Sequence, residues 1–201
     1  MPQGRYTVLG DDGTPVGTES FRCAPGPMGW RYFSDVDTTD PTPHREIVDV
    51  VVGADRRIAR VRIDTGEHQV LLEPRGDVLA GYRDGREIEI AYGPDVHLDY
   101  FTPATNVVTT RRLAGTTEID VVYLAPVTLE ASRMRQRYEL LGPDEVETPA
   151  GTFEAVRWTF TDLGSGWTAD LWIAGDTVVA YERLFDLVWY EAGARGAQPL
   201  A

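Results

Sequence analysis

The 201-residue chain is poor in the residues that build most metal and redox centres: one cysteine, three histidines and three methionines. A lone cysteine, Cys23, excludes an intramolecular disulfide and a cysteine metal cluster. Its surroundings, SFRCAPGPMGW, offer no activating base, so a small buried side chain or an idle thiol is expected. His44, His68 and His97 lie far apart in sequence, and no metal is expected. Basic residues are scarce too: 19 Lys and Arg face 32 Asp and Glu, a formal charge of -13. Such a surface repels polyanions, which argues against nucleic acid as a partner.

Long apolar runs are missing as well. No stretch approaches the roughly 18 residues of a membrane span. The start, MPQGRYTVLGDDG, has no apolar signal core, so a cytoplasmic location is expected. No G-x-G-x-x-G opens a helix, and G-x-x-x-x-G-K-[ST], G-x-S-x-G and H-E-x-x-H are absent. Nucleotide use and the common serine-hydrolase or zinc-protease chemistries therefore have no motif to stand on, and no cofactor is expected.

What the chain has in quantity is turn residues, 20 Gly and 13 Pro, set between short β-branched and aromatic runs. Those runs alternate with a period of two, as in IARVRIDT, EIEIAY, EIDVVYLAP and EAVRWTFTDL, the signature of strands with one buried face. The best helical candidate, LEASRMRQRYELL, alternates equally well through Met134, Gln136, Tyr138 and Leu140 and reads as a strand. Crossover helices for a parallel sheet are not evident. The expected fold is all-β: one domain over 1–201, a rolled antiparallel sheet or barrel around an apolar cavity. A half-barrel junction is placed near 141–151, and the tails MPQG and AGARGAQPLA are expected to fray.

The segment Asp95–Tyr138 carries a D-hydrophobic-D strand ending at Asp99 and a T-P-x-T-N stretch with Thr102, Pro103, Thr105 and Asn106. It continues with Arg111, Arg112 and Leu113 and closes on Gln136, Arg137 and Tyr138. In these features it resembles a family of bacterial β-roll proteins labelled glycolipid-binding, over about a fifth of the chain. Val107–Thr110 departs from that family's pattern, and the segment 24–45 has no counterpart in it and reads as an insertion. The resemblance implies a rolled antiparallel sheet with an apolar cavity.

Several groups of residues could serve a ligand. Asp95, His97 and Asp99 alternate on one strand face, as a solvated face, a ligand-binding face or, through His97 and Asp99, an acid–base site. Thr102-Pro103-Ala104-Thr105-Asn106 reads as a turn, structural in itself or offering Thr102 and Asn106 at a cavity rim. Arg111 and Arg112 would point to opposite faces if a strand ran through them, while Arg60 and Arg62 share one face and either pair with acids or clamp an anion. Among the aromatics, Trp30, Tyr32, Tyr82 and Tyr100 are candidate cavity walls. Tyr123, Tyr138, Trp158 and Trp172 join them, out of a wider aromatic set, including Phe160, Trp167, Tyr181 and Phe185, that is ample to line a cavity though most of it is expected in the core.

Three functions remain open from these residues. The first is non-catalytic binding of an amphipathic or apolar small molecule, such as a glycolipid, fatty acyl or polyketide-like compound. The second is a cofactor-independent cyclase, isomerase or hydratase of secondary metabolism in the same cavity, and the third is a protein-interaction module using a sheet edge. Monomer and dimer are both open.

Overall fold

Alternating side chains become strands over most of the chain. The computed structural model describes residues 1–26 and 29–193, and among these fifteen strands form. In chain order β1 (Gln3–Leu9), β2 (Pro15–Gly26), β3 (Gly29–Thr38), β4 (His44–Gly53) and β5 (Ile58–Asp64) come first. Next are β6 (Gln69–Arg75), β7 (Val78–Arg83), β8 (Arg86–Ala91) and β9 (Val96–Asp99), then a helix, α1 (Pro103–Thr110). The remainder are β10 (Thr117–Leu124), β11 (Ala131–Thr148), β12 (Gly151–Asp162), β13 (Thr168–Ala174), β14 (Thr177–Tyr181) and β15 (Phe185–Glu191).

All fifteen belong to one sheet, ordered β8-β7-β6-β5-β4-β3-β2-β1-β15-β14-β13-β12-β11-β10-β9. The two ends of the described chain meet in mid-sheet, where β1 pairs with β15, and β8 and β9 are left as free edges. Inward residues from both arms, Leu79 on β7 and Leu98 on β9 among them, belong to one hydrophobic core, so the sheet rolls around a shared interior. The all-β, rolled and predominantly antiparallel architecture expected from the sequence is what forms.

Four local expectations are corrected. Thr102–Asn106 is not a turn but the start of α1, which lies inside the roll with all eight residues buried. It carries the chain from β9 to β10, which pair in parallel. Helix propensity could not disclose it, because Val107, Val108, Thr109 and Thr110 are all β-branched. A helix covered on every side shows no amphipathic stripe either. Pro103 in the first turn has no N–H to satisfy, and Thr110 Oγ1 donates back to the Asn106 carbonyl (2.8 Å).

Arg111 and Arg112 therefore leave a helix rather than a strand. Arg111 caps it and pairs with Asp176; Arg112 donates to the carbonyls of Pro94 (2.8 Å) and Val96 (3.3 Å). Most of the segment read as an insertion is the middle of the sheet: β3 is hydrogen-bonded on both sides, and its Trp30, Tyr32 and Val36 are core. Near 141–151 there is no interruption, since β11 runs to Thr148 with an irregular register at Leu140/Gly142 and turns directly into β12. At the N-terminus, Gln3 already opens β1 and the Pro2 carbonyl accepts from the Cys23 N–H (2.8 Å); the C-terminal tail from residue 194 lies outside the described residues.

Candidate functional site

The roll's interior is filled rather than hollow, and α1 is the filler. Around its first turn, however, a recess of about 410 Å³ remains. Asp99 at the end of β9 stands opposite Tyr123 on β10, and β11 contributes Met134 and Gln136 by the alternation noted above. On the other side Phe160, Trp167, Tyr181 and Phe185 make an aromatic wall. Its rings meet edge-on or tilted: Phe160–Trp167 at 5.7 Å, Phe160–Tyr181 at 6.5 Å and Tyr181–Phe185 at 6.3 Å between centroids. Phe101 extends the wall outward, 5.1 Å from Phe185.

Two carboxyl groups share this recess and are pushed in opposite directions. Burial holds Asp99 above the ordinary aspartate value. Hydrogen bonds from Gln136 Nε2 to Oδ2 (2.6 Å) and from Thr105 Oγ1 to Oδ1 (3.1 Å) oppose the rise, and the charge of Asp162 adds to it. At Asp162 burial also acts to raise the value, but hydrogen bonds win and hold it below the ordinary range. Its donors are the Ser165 hydroxyl (2.5 Å) and the N–H groups of Gly164 (3.0 Å) and Ser165 (3.3 Å). Tyr123 is pushed up to about 12 by burial and by these two acids. Gln136 is 1% exposed, and its Oε1 has no hydrogen-bond partner among the described residues.

Behind the recess lies a second polar cluster. Thr102, on the recess wall, donates to Glu19 Oε1 (2.9 Å), which also accepts from Tyr32 Oη (2.7 Å). Burial pushes Glu19 up to about 7, against the hydrogen bonds of Tyr32 and Thr102 and reinforced by Glu46. Tyr100 donates to Glu46 Oε2 (2.7 Å), whose Oε1 meets His44 Nε2 (2.7 Å).

Of the residues singled out from sequence, Asp99, Tyr100, Thr102, Asn106 and Tyr123 line the recess together. Tyr138 stands behind, donating to Asn106 Oδ1 (3.0 Å); Tyr32 belongs to the Glu19 cluster, and Trp158 is core. Trp30 and Arg111 line a separate hollow of about 270 Å³ by the C-terminal end of α1. His97 faces α1 as Asp99 does, one helical turn on, with Nδ1 3.3 Å from Thr109 Oγ1. Burial, then Arg112, pushes His97 down to about 3, so it is neutral, and it lines a different groove.

The others are outside. Arg60 pairs with Asp49 (3.2 Å), Arg62 approaches Asp64 (4.0 Å), and Tyr82 is half-exposed. Trp172 Nε1 donates to Asp144 Oδ2 (2.9 Å) beneath the Arg157 guanidinium. Sequence reasoning passed over Gln136 and Asp162 as site residues, and it named Trp167 and Phe185 only within the wider set of aromatics able to line a cavity. Asp162-Leu-Gly-Ser165 is legible as a side-chain-capped turn, but nothing local aims it at a strand far away in sequence.

No protein-family model matches the sequence, and no curated protein matches it. Solved structures do resemble it. A DUF1089 family protein from Pseudomonas aeruginosa is similar at a TM-score of 0.61 and 20% identity, covering 86% of this chain and 92% of that one. A β-barrel-like protein of the domain of unknown function DUF1849 from Brucella abortus is similar at 0.54 and 7% identity, covering 94% and 96%. At those identities the likeness establishes architecture: this chain has the β-barrel-like fold of these two bacterial proteins.

Proposed function

We propose that the protein binds an apolar or amphipathic small molecule in the recess at the first turn of α1. The observation that carries this reading is the aromatic wall of Phe160, Trp167, Tyr181 and Phe185 facing a few polar groups across about 410 Å³. That volume and that mixture suit a small-molecule site. A glycolipid, an acyl chain or a polyketide-like body would each place apolar surface on the wall and a polar end at Asp99 and Gln136. The neutral dye Nile red should bind at one site per chain, and Trp167→Ala should weaken it about ten-fold, as loss of a buried aromatic contact does. A chain that takes up no dye and releases no small molecule in native mass spectrometry would overturn the reading.

One observation favours a second reading, acid–base catalysis on the bound molecule: within one recess Asp99 is held above, and Asp162 below, the ordinary aspartate value. Recovery of the ligand chemically altered after incubation would select it.

A further inference from the structure

The recess is one-sided in charge. Asp99 and Asp162 line it, and no Lys, Arg or His does among the described residues. A carboxylate enclosed by protein is costly unless an opposite charge accompanies it, and the partners of Asp99 are the neutral side chains of Gln136 and Thr105. The Asp162 carboxylate likewise has only hydroxyl and amide donors. Other partly buried aspartates are matched by cations: Asp49 receives Arg31 and Arg60, and Asp170 receives Arg157; Glu19, also without a cation, is sealed in the core with no space for a ligand before it.

A second, independent feature points the same way. Gln136 lines the recess, and its buried Oε1, which accepts from no donor among the described residues, belongs to the side chain whose Nε2 is committed to Asp99. An acceptor orphaned in that position is completed by an N–H or O–H donor brought from outside. The aromatic wall adds a third element, since ring faces attract cations. Trp167 already holds one on a ring face, with Arg183 Cζ 5.5 Å from its centroid and the Arg183 guanidinium bonded to the Thr168 carbonyl outside the recess.

We propose that the occupant of the recess is an amphipathic amine, its ammonium group held by Asp99, Asp162 and Gln136 and its apolar body by the aromatic wall. This rests on the binding reading above and narrows it. An ammonium supplies the missing counter-charge and the missing donors at once; a carboxylate or phosphate head would meet two acids and no cation. A neutral alcohol satisfies Gln136 alone.

The test compares decylamine, decanol and decanoate, equal in chain length, below their aggregation concentrations, by isothermal titration calorimetry at about 0.15 M salt, which screens attraction to the acidic exterior. Decylamine should bind about ten-fold or more tightly than decanol, and decanoate should bind weakest. Asp99→Asn and Asp162→Asn should each bring decylamine affinity close to that of decanol on the same variant, and urea unfolding midpoints near the parent's show that the variants remain folded. Decanol or decanoate binding as well as decylamine would overturn the amine proposal and leave the binding site standing. A preference for decylamine that survives both substitutions would overturn it as well, as adsorption to the acidic surface. Failure of all three ligands would count against the binding reading itself.

Discussion

Glu19 and Asp99 are both taken out of water by the roll, yet they stand in different company. Glu19 lies 0% exposed among Tyr32, Thr102 and Phe21, with protein on every side. Asp99 is partly exposed and borders the recess while accepting from Gln136 and Thr105. In the closed region hydrogen bonds within the chain offset desolvation only in part and nothing from outside can add to them, whereas in the open one an incoming molecule can. What separates a structural acid from a candidate binding acid here is the space in front of it, not the size or direction of its perturbation.

The comparison breaks most visibly on packing. Phe21 is stacked between Tyr6 (4.9 Å) and Tyr32 (5.5 Å), and Gly4 leaves room for its ring, since a Cβ there would meet it at 2.6 Å. Phe101 is 37% exposed at the lip of the recess. Phe21→Ala should cost about 3–5 kcal/mol, whereas Phe101→Ala should cost about 1 kcal/mol or less. Urea unfolding of the two variants measures the contrast; equal losses would mean that the recess lip is part of the core.

Glu19 gives the next effect. Its folded value near 7 lies above the ordinary 4.5, so the folded chain binds this proton more tightly than the unfolded chain. The stabilisation is therefore fully present below about pH 4.5 and is lost as pH rises through about 7. Glu19→Gln removes the titration while keeping the shape. Its stability relative to the parent should rise by on the order of 3 kcal/mol between pH 4.5 and 8. A pH-independent difference between the two unfolding midpoints would show that Glu19 is not desolvated.

How much of this was legible depends on the range over which each feature is determined. Strands are written locally, in alternation such as Met134, Gln136 and Tyr138, and so the all-β roll was readable. Asp99, Thr102 and Asn106 were also readable as a group because they stand close together in one segment. Helix α1 was not, since its stability comes from burial on all sides and its β-branched residues argue against it in isolation. Asp162 was invisible for another reason: it reaches the recess through the pairing of β11 with β12, which sets Gln136 opposite Asp162, and no short window contains both. His97 was correctly placed on the face of Asp99, but only the packed helix decides that it is neutral and opens elsewhere.

Thr102 tests whether the two regions are independent, because it belongs to both: its side chain bonds Glu19 while the residue lines the recess. Thr102→Val keeps the shape and removes the hydroxyl. Glu19 Oε1 then retains Tyr32 alone, at a cost of about 1 kcal/mol in stability. Loss of a hydrogen bond that favours the carboxylate should move the Glu19 titration further up, so the decline of stability, which still begins near pH 4.5, should extend further to the alkaline side. Decylamine affinity should change by less than about two-fold, because the groups proposed to hold the ammonium are untouched. If affinity instead falls together with stability, the closed acid and the open acid are one network, and the empty space before Asp99 is not what distinguishes them.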